Sequence, residues 1–456
     1  MTQIILQKAY LEEGWRDNVL LELDARGHIT KIQASVENSR GRRIRGYALP
    51  TVINCHSHAF QRAMAGLAEY RASTQDSFWT WRQLMYHFAG RINPEDLYHL
   101  ARGLYLELAK GGYGGVCEFH YLHHQPGGVV YDDPAELSLS LMRAAAEVGL
   151  ALTLLPVMYM TSGFGASGLL PEQRRFALDP EAYATLWASL KARLGDNQSL
   201  GLAFHSLRAV PLDALREMEN FAPEAVRHIH IAEQVKEVED CRLWCGQRPV
   251  DYLMSHVEVD ERWCLVHATH LDSGERQKLA QSGAVAGLCP TTEANLGDGL
   301  FPLADYLEDG GCIAIGSDSH VSRDLREELR WLEYGQRLWY RHRNLAASVQ
   351  TPHTGERLLR AALMGGARAS GLKTGALAVG QRADLMILDP EAPAFAGCPD
   401  EALIDSFVFN GTTPVIKDVM VRGQWIIRDG RHKVEDDIVR NFRATMEKLL
   451  AAPKSG

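Results

Sequence analysis

Residues Ala48-Leu49-Pro50-Thr51-Val52-Ile53-Asn54-Cys55-His56-Ser57-His58 run from a short apolar stretch directly into a His-x-His pair. Alternate side chains of a strand share one face, so the two imidazoles can reach one ion. From Ala48 onward the chain repeats this form, short apolar runs divided by long amphipathic stretches, which is the alternation of βα units on a parallel sheet. The candidate strands are Ala48–Cys55, Gly115–Phe119, Leu150–Met158, Leu200–Phe204, Ile229–Ala232, Trp263–Val266, Ala284–Leu288 and Cys312–Gly316. Between them, segments such as Pro94 to Gly111 and Pro134 to Gly149 have helical apolar spacing and glycine stops. Eight such units predict an α/β chain built on a (β/α)8, TIM-like barrel rather than an open doubly wound sheet.

Outside this region the period changes. Ile4 to Tyr10 and Val19 to Leu23 alternate as strands do, with a turn near Arg26-Gly27-His28. Period-two patterning returns after a helical Thr354 to Ala369, through Gly375 to Asp389, Phe407-Val408-Phe409 and Val419-Met420-Val421. The two ends therefore predict one small discontinuous β-sandwich from 1–48 and 375–432, around a barrel at 49–374. Residues 433–456 form a C-terminal helix and tail, the helix spanning Val434 to Ala451.

Composition narrows the function classes. Lys plus Arg total 48 against 57 Asp plus Glu, a net charge of −9 without the basic footprint of a nucleic-acid or anionic-membrane binder. No apolar run approaches the roughly 18 to 20 residues of a membrane span, which predicts a cytoplasmic protein. Of eight cysteines, Cys55, Cys117, Cys264, Cys289 and Cys312 lie in or beside apolar runs, where free cysteine behaves as a small hydrophobe. Cys241 and Cys245 stand at helical spacing without partners for a zinc knuckle.

Polar groups concentrate at the ends of the predicted strands, where barrels of this kind carry their active sites. A lone His-x-His is weak and also suits polar loop histidines. Here the fifth strand ends His228-Ile229-His230-Ile231-Ala232-Glu233, the sixth His267-Ala268-Thr269-His270 and the eighth Ser317-Asp318-Ser319-His320. Each adds a metal-binding or proton-transferring group at the same end of a different strand.

With these motifs the chain resembles the amidohydrolase superfamily, and within it the single-metal deaminases of amidines and cyclic amidines. The segment Gly375 to Asp384, of the form GxLxxGxxAD, is similar to that superfamily's return to its sandwich. The resemblance implies His56, His58, His230 and Asp318 as metal ligands, Glu233 as proton shuttle and His267, with Asp318, as the groups that orient and activate the attacking water. Two-metal members bridge their ions with a carboxylated lysine, whereas Leu200-Gly201-Leu202-Ala203-Phe204-His205 has none, so one divalent ion is expected. Three imidazoles and a carboxylate suit zinc and also accept iron(II). His228 reads as filler of the barrel interior, and His270 and His320 as outer donors or loop residues.

Four stretches are more specific. His56 to Gly66, Phe119 to His124, His205 to Val210 and His228 to Gln234 resemble the formimidoylglutamate deiminases of histidine degradation. That resemblance implies hydrolysis of N-formimino-L-glutamate, a small dicarboxylate amidine, to N-formyl-L-glutamate and ammonia, and a homodimer. Arg208 and Arg82 would meet the two carboxylates, with Gln61, Tyr121 and His205 completing the shell. Arg71 and Arg91 are alternatives to Arg82, and Phe78, Trp79 and Trp81 suit a lid, a subunit contact or plain packing. The rivals are a deaminase of a ring such as guanine, cytosine, an adenosine derivative or a triazine, and a catalytically silent scaffold.

Overall fold

A computed structural model of the chain describes residues 2–36, 41–70 and 78–451, without the side chains of 78–80. Arg71 and the side chains of Phe78 and Trp79 thus lie outside the described residues.

The N-terminal segment forms β1 (Thr2–Leu11), β2 (Gly14–Leu23), β3 (Ile29–Gln33) and β4 (Arg42–Pro50). The chain then builds β5 (Val52–Ser57), β6 (Tyr113–His120), β7 (Ala151–Met158), β8 (Gln198–Leu200) and β9 (Leu202–Ser206). It continues with β10 (Arg227–Ile231), β11 (Trp263–His267), β12 (Val285–Leu288) and β13 (Cys312–Ile315). It returns to the first layer as β14 (Leu385–Leu388), β15 (Ile416–Val421) and β16 (Gln424–Ile427). The outer layer is one seven-stranded sheet in the order β16-β15-β14-β4-β1-β2-β3, antiparallel except between β1 and β4.

The remaining strands make a nearly closed parallel barrel, β5-β6-β7-β9-β10-β11-β12-β13, with β8 paired beside β7. Its seam closes where Asp318 N donates to His56 O (3.0 Å) and His58 N to Asp318 O (3.2 Å). Gly316 makes that approach feasible, since a Cβ there would stand 2.8 Å from His56 Cβ and 2.9 Å from its nitrogen. The barrel strands are buried on both faces, as their near-continuous apolar runs require.

Three local readings change. The run Ala48–Cys55 is two strands: β4 ends at Pro50 in the outer sheet, and Thr51 N turns to Asp384 O (3.2 Å) before β5 enters the barrel. Leu200–Phe204 breaks at Gly201, which passes so close to Leu155 that a Cβ would meet its side chain at 2.5 Å. Phe407-Val408-Phe409 belongs to a helix, Leu403–Phe409, whose buried Leu403, Ile404, Phe407 and Val408 follow helical spacing. Three residues are too short a window to separate periods of 2 and 3.6.

Asp384 ties the two layers together immediately behind the first barrel strand. Its buried carboxylate accepts from Arg382 Nε (2.8 Å), Thr374 Oγ1 (2.8 Å) and Arg422 N (2.6 Å). The helix Pro94–Lys110 starts at a reciprocal Asn93–Asp96 capping box, a device contributing about 1 kcal/mol. Its buried face brings Tyr105 OH within 3.2 Å of Glu118 Oε2 on β6.

Candidate active site

The barrel strands end in left-handed backbone at Ala232, His267, Ala268, Asp318 and His320, with φ between 44° and 68°. Non-glycine residues pay conformational strain there, and its clustering at strand ends marks the site. These turns point polar side chains from separate strands into one mouth.

Three imidazoles meet at its floor. His56 Nε2 lies 3.1 Å from His58 Nε2 and 3.0 Å from His230 Nε2. His58 Nδ1 donates to Phe119 O (2.8 Å) and His230 Nδ1 to His205 O (2.9 Å), so in both rings the neutral tautomer leaves a lone pair on Nε2. Burial holds all three rings below the ordinary histidine range, which keeps them neutral. Asp318 Oδ1 approaches His58 Nε2 at 3.3 Å and His56 Nε2 at 3.5 Å. Three ring nitrogens and a carboxylate oxygen converge here, and their separations suit ligands about 2.0–2.1 Å from one ion. The donor set therefore fits one divalent metal.

Glu118 of β6 supports this floor and escapes the sequence reading, although it is the only charged residue in Tyr113–His120. Its buried carboxylate accepts from Ser57 Oγ (2.6 Å) and Ala59 N (2.6 Å), on either side of His58, and from Tyr105 OH (3.2 Å). Burial pushes its carboxyl up to about 7. Glu118→Ala strands these donors in a dry site at about 1–3 kcal/mol each, so urea unfolding of the metal-free protein should shift by several kcal/mol. Glu118→Gln should shift it less, and an unchanged midpoint for the alanine variant would contradict the support.

Glu233 and His267 form one wall. His267 Nε2 stands 3.7 Å from Glu233 Oε1 and 3.9 Å from Asp318 Oδ2, while its Nδ1 faces Glu293 Oε1 at 3.3 Å. Burial pushes Glu233 up to about 7. Burial opposes charge on His267, but Glu233, Glu293 and Asp318 together raise it to about 10. Glu293 also accepts from Cys289 N (2.8 Å). Asp298, pushed up to about 9 by burial, lies beside this wall and takes a hydrogen bond from Gln234 Nε2. Nothing local in the sequence distinguishes Glu293 or Asp298 from ordinary helix and loop acids.

The same cavity is lined by Gln61, Arg82, Tyr121, His205 and Arg208 together with His58, His230, Glu233, His267 and Asp318. Gln61 Nε2 donates to Tyr121 OH (2.9 Å), while Gln61 Oε1 and Arg208 Nε are buried without a protein partner among the described residues. Arg82 enters from the helix Phe78–Ala89, its Nε donating to Tyr86 OH (2.6 Å), and Trp81 also lines the cavity. Arg91 does not join them, because its Nη2 donates to Ala451 O (2.7 Å) at the residue that follows the C-terminal helix Glu435–Leu450.

The other histidines have structural partners. His228 Nε2 donates to Ala369 O (2.8 Å) inside the barrel, His270 Nε2 to Asp298 O (2.8 Å), and His320 Nδ1 meets Ser317 Oγ (2.9 Å). The eight cysteines are free thiols.

Barrel, outer sheet and histidine floor agree with sequence comparison: the model of the Amidohydrolase family matches residues 47–426, and the chain belongs to that family. It is 50% identical, over 99% of its length and 100% of the relative's, to the formimidoylglutamate deiminase of Pseudomonas aeruginosa. It is 25% identical, over 94% of its length and 90% of the relative's, to a 5-methylthioadenosine/S-adenosylhomocysteine deaminase of Desulforamulus reducens. The crystal structure of an amidohydrolase from Brucella melitensis matches with a TM-score of 0.93 at 42% identity, covering 99% of this chain and 100% of that one.

Proposed function

We propose that the protein hydrolyses N-formimino-L-glutamate to N-formyl-L-glutamate and ammonia, a step of histidine degradation. The observation that carries this reading is a single cavity in which the histidine floor and Glu233 face two guanidiniums, Arg82 and Arg208. A cationic amidine with two carboxylates matches that polarity, whereas a neutral ring calls for stacking and base-edge contacts. Half identity to a formimidoylglutamate deiminase over nearly the whole chain supports the same substrate, and the ring deaminase is a far more distant relative.

His56, His58, His230 and Asp318 would hold one divalent ion, zinc by the donor set with iron(II) also accommodated, and that ion supplies hydroxide near neutral pH. Arg208 and Arg82 take the two carboxylates, and Gln61, Tyr121 and His205 complete their hydrogen bonding. His267 and Asp318 orient the water for attack on the formimino carbon. Attack makes that carbon tetrahedral, and Glu233 protonates the departing nitrogen so that ammonia leaves rather than an amide anion. The proton lost as the water becomes hydroxide replaces the one Glu233 gives up, and the remaining hydroxyl proton is released to solvent as the carbon–nitrogen bond breaks and the carbonyl forms.

The same reading makes the protein a cytoplasmic homodimer that binds neither nucleic acid nor membrane. Among the described residues no helix is long and apolar enough to cross a bilayer. It divides the chain into a terminal β-domain at 1–48 and 375–432, a catalytic barrel at 49–374 and a C-terminal helix with its tail at 433–456.

Ammonia release from N-formimino-L-glutamate, with guanine and cytosine in parallel, tests the reaction. Release from the first alone upholds it, and release from a ring overturns the assignment of the arginines. Arg208→Ala should raise KM about 10- to 100-fold, the worth of a charged hydrogen bond, with a smaller change in kcat. An unchanged KM would remove Arg208 from the carboxylate site.

A further inference from the structure

Arg175 is 2% exposed, the largest side chain among the fully buried ones, and it has no carboxylate partner among the described residues. Its guanidinium donates to three carbonyls: His124 O (3.1 Å), Ile92 O (3.1 Å) and Ala89 O. A buried cation is costly unless its hydrogen bonds are satisfied, and its position here has a purpose legible from those acceptors. Ala89 is the last residue of the helix Phe78–Ala89, whose terminal carbonyls lack intrahelical donors and carry the negative end of the helix dipole. The guanidinium therefore pins the C-terminal end of the helix that delivers Arg82 to the cavity. Burial lowers Arg175 to about 10, so it is charged at neutral pH.

Its neighbours hold the same helix from its inner face. Gln173 is fully buried, and its Nε2 donates to Tyr86 OH (3.2 Å) and Tyr159 OH (3.0 Å). That Tyr86 oxygen also receives Arg82 Nε at 2.6 Å. Phe176 stacks on the Tyr86 ring at 6.1 Å between centroids. The two-turn 3-10 segment Pro171–Phe176 thus grips the helix at its end, at Tyr86 and, through Tyr86, at Arg82 itself.

We propose that Pro171–Phe176 is a clamp that positions Arg82, and that Arg175 and Gln173 thereby set the enzyme's preference for a substrate with a second carboxylate. This rests on the functional reading above. Neither residue touches the cavity, so both are positioning residues.

The test compares Arg175→Met, Arg175→Lys and Gln173→Leu with Arg82→Met and the Arg82→Met/Arg175→Met double variant. Substrates are N-formimino-L-glutamate and the N-formimino derivatives of 2-aminobutyrate and 4-aminobutyrate, each lacking one carboxylate. Arg175→Met should raise KM for the dicarboxylate about tenfold, the effect of weakening one charged contact, and leave kcat within a few-fold. The monocarboxylate that no longer meets Arg82 should be insensitive, and the double variant should be no worse than Arg82→Met. Losses that add in the double variant, or that fall equally on all three substrates, overturn the clamp.

Should Arg175→Met fail to fold, Arg175→Lys and Gln173→Leu carry the same comparison. If wild-type protein does not turn over the dicarboxylate, the functional reading fails and hydrogen exchange decides the clamp by itself. Faster exchange in Arg175→Met confined to amides 86–92 upholds it, and unchanged exchange there overturns it.

Discussion

Glu233→Gln is expected to lower kcat about 10²- to 10⁴-fold, the usual contribution of a positioned general acid. The amide keeps the shape of the side chain but has no proton to deliver, so the leaving nitrogen would have to depart as an anion. Glu233 stands outside the three-histidine cluster, beside His267 at 3.7 Å, and the variant should retain its full metal content. KM should change little, because the carboxylate contacts are proposed at Arg82 and Arg208 and not at Glu233. Steady-state kinetics with elemental analysis of the same preparation checks this. Normal turnover would remove Glu233 from the proton path, and loss of metal together with activity would place it in the metal's coordination instead.

Stripping the divalent ion is expected to reduce ammonia release to that of a protein-free control, with restoration by Zn²⁺ or Fe²⁺. His58 and His230 present their Nε2 lone pairs beside His56 Nε2, so the three rings converge on one point that an ion can occupy. The folded protein should also lose stability, by about 4 kcal/mol relative to free ion at a thousandfold over its Kd. Thermal unfolding with and without chelator reads that shift independently of activity. His56→Ala should reproduce both effects, since His56 Nε2 is the nitrogen adjoining both other rings. Undiminished activity after verified metal removal would overturn the reading of the floor.

The metal-capable groups, and the positions of Glu233 and His267 beside them, are legible in the amino-acid sequence, and the reason is local. A residue's place at the C-terminal end of an apolar run is visible in the run itself, and a barrel brings all such ends to one mouth. Glu118 is open to the same logic, as a lone acid within a buried strand. Arg82 and Arg91 cannot be separated that way. They lie nine positions apart on neighbouring stretches of similar character, and only the docking of the C-terminal helix takes Arg91 to Ala451 while Arg82 enters the cavity.

By itself, then, the sequence determined the eight-unit barrel, the layer shared by both termini and the strand-end positions of the histidines, Glu233 and Asp318, because periodicity and strand ends are properties of short stretches. Tertiary structure alone decided where Leu200–Phe204 breaks, which acids stand behind His267, and what Arg175 holds. The three carbonyls that receive Arg175 come from residues 51, 83 and 86 positions away, a meeting set by packing of distant segments that leaves no trace in the local pattern.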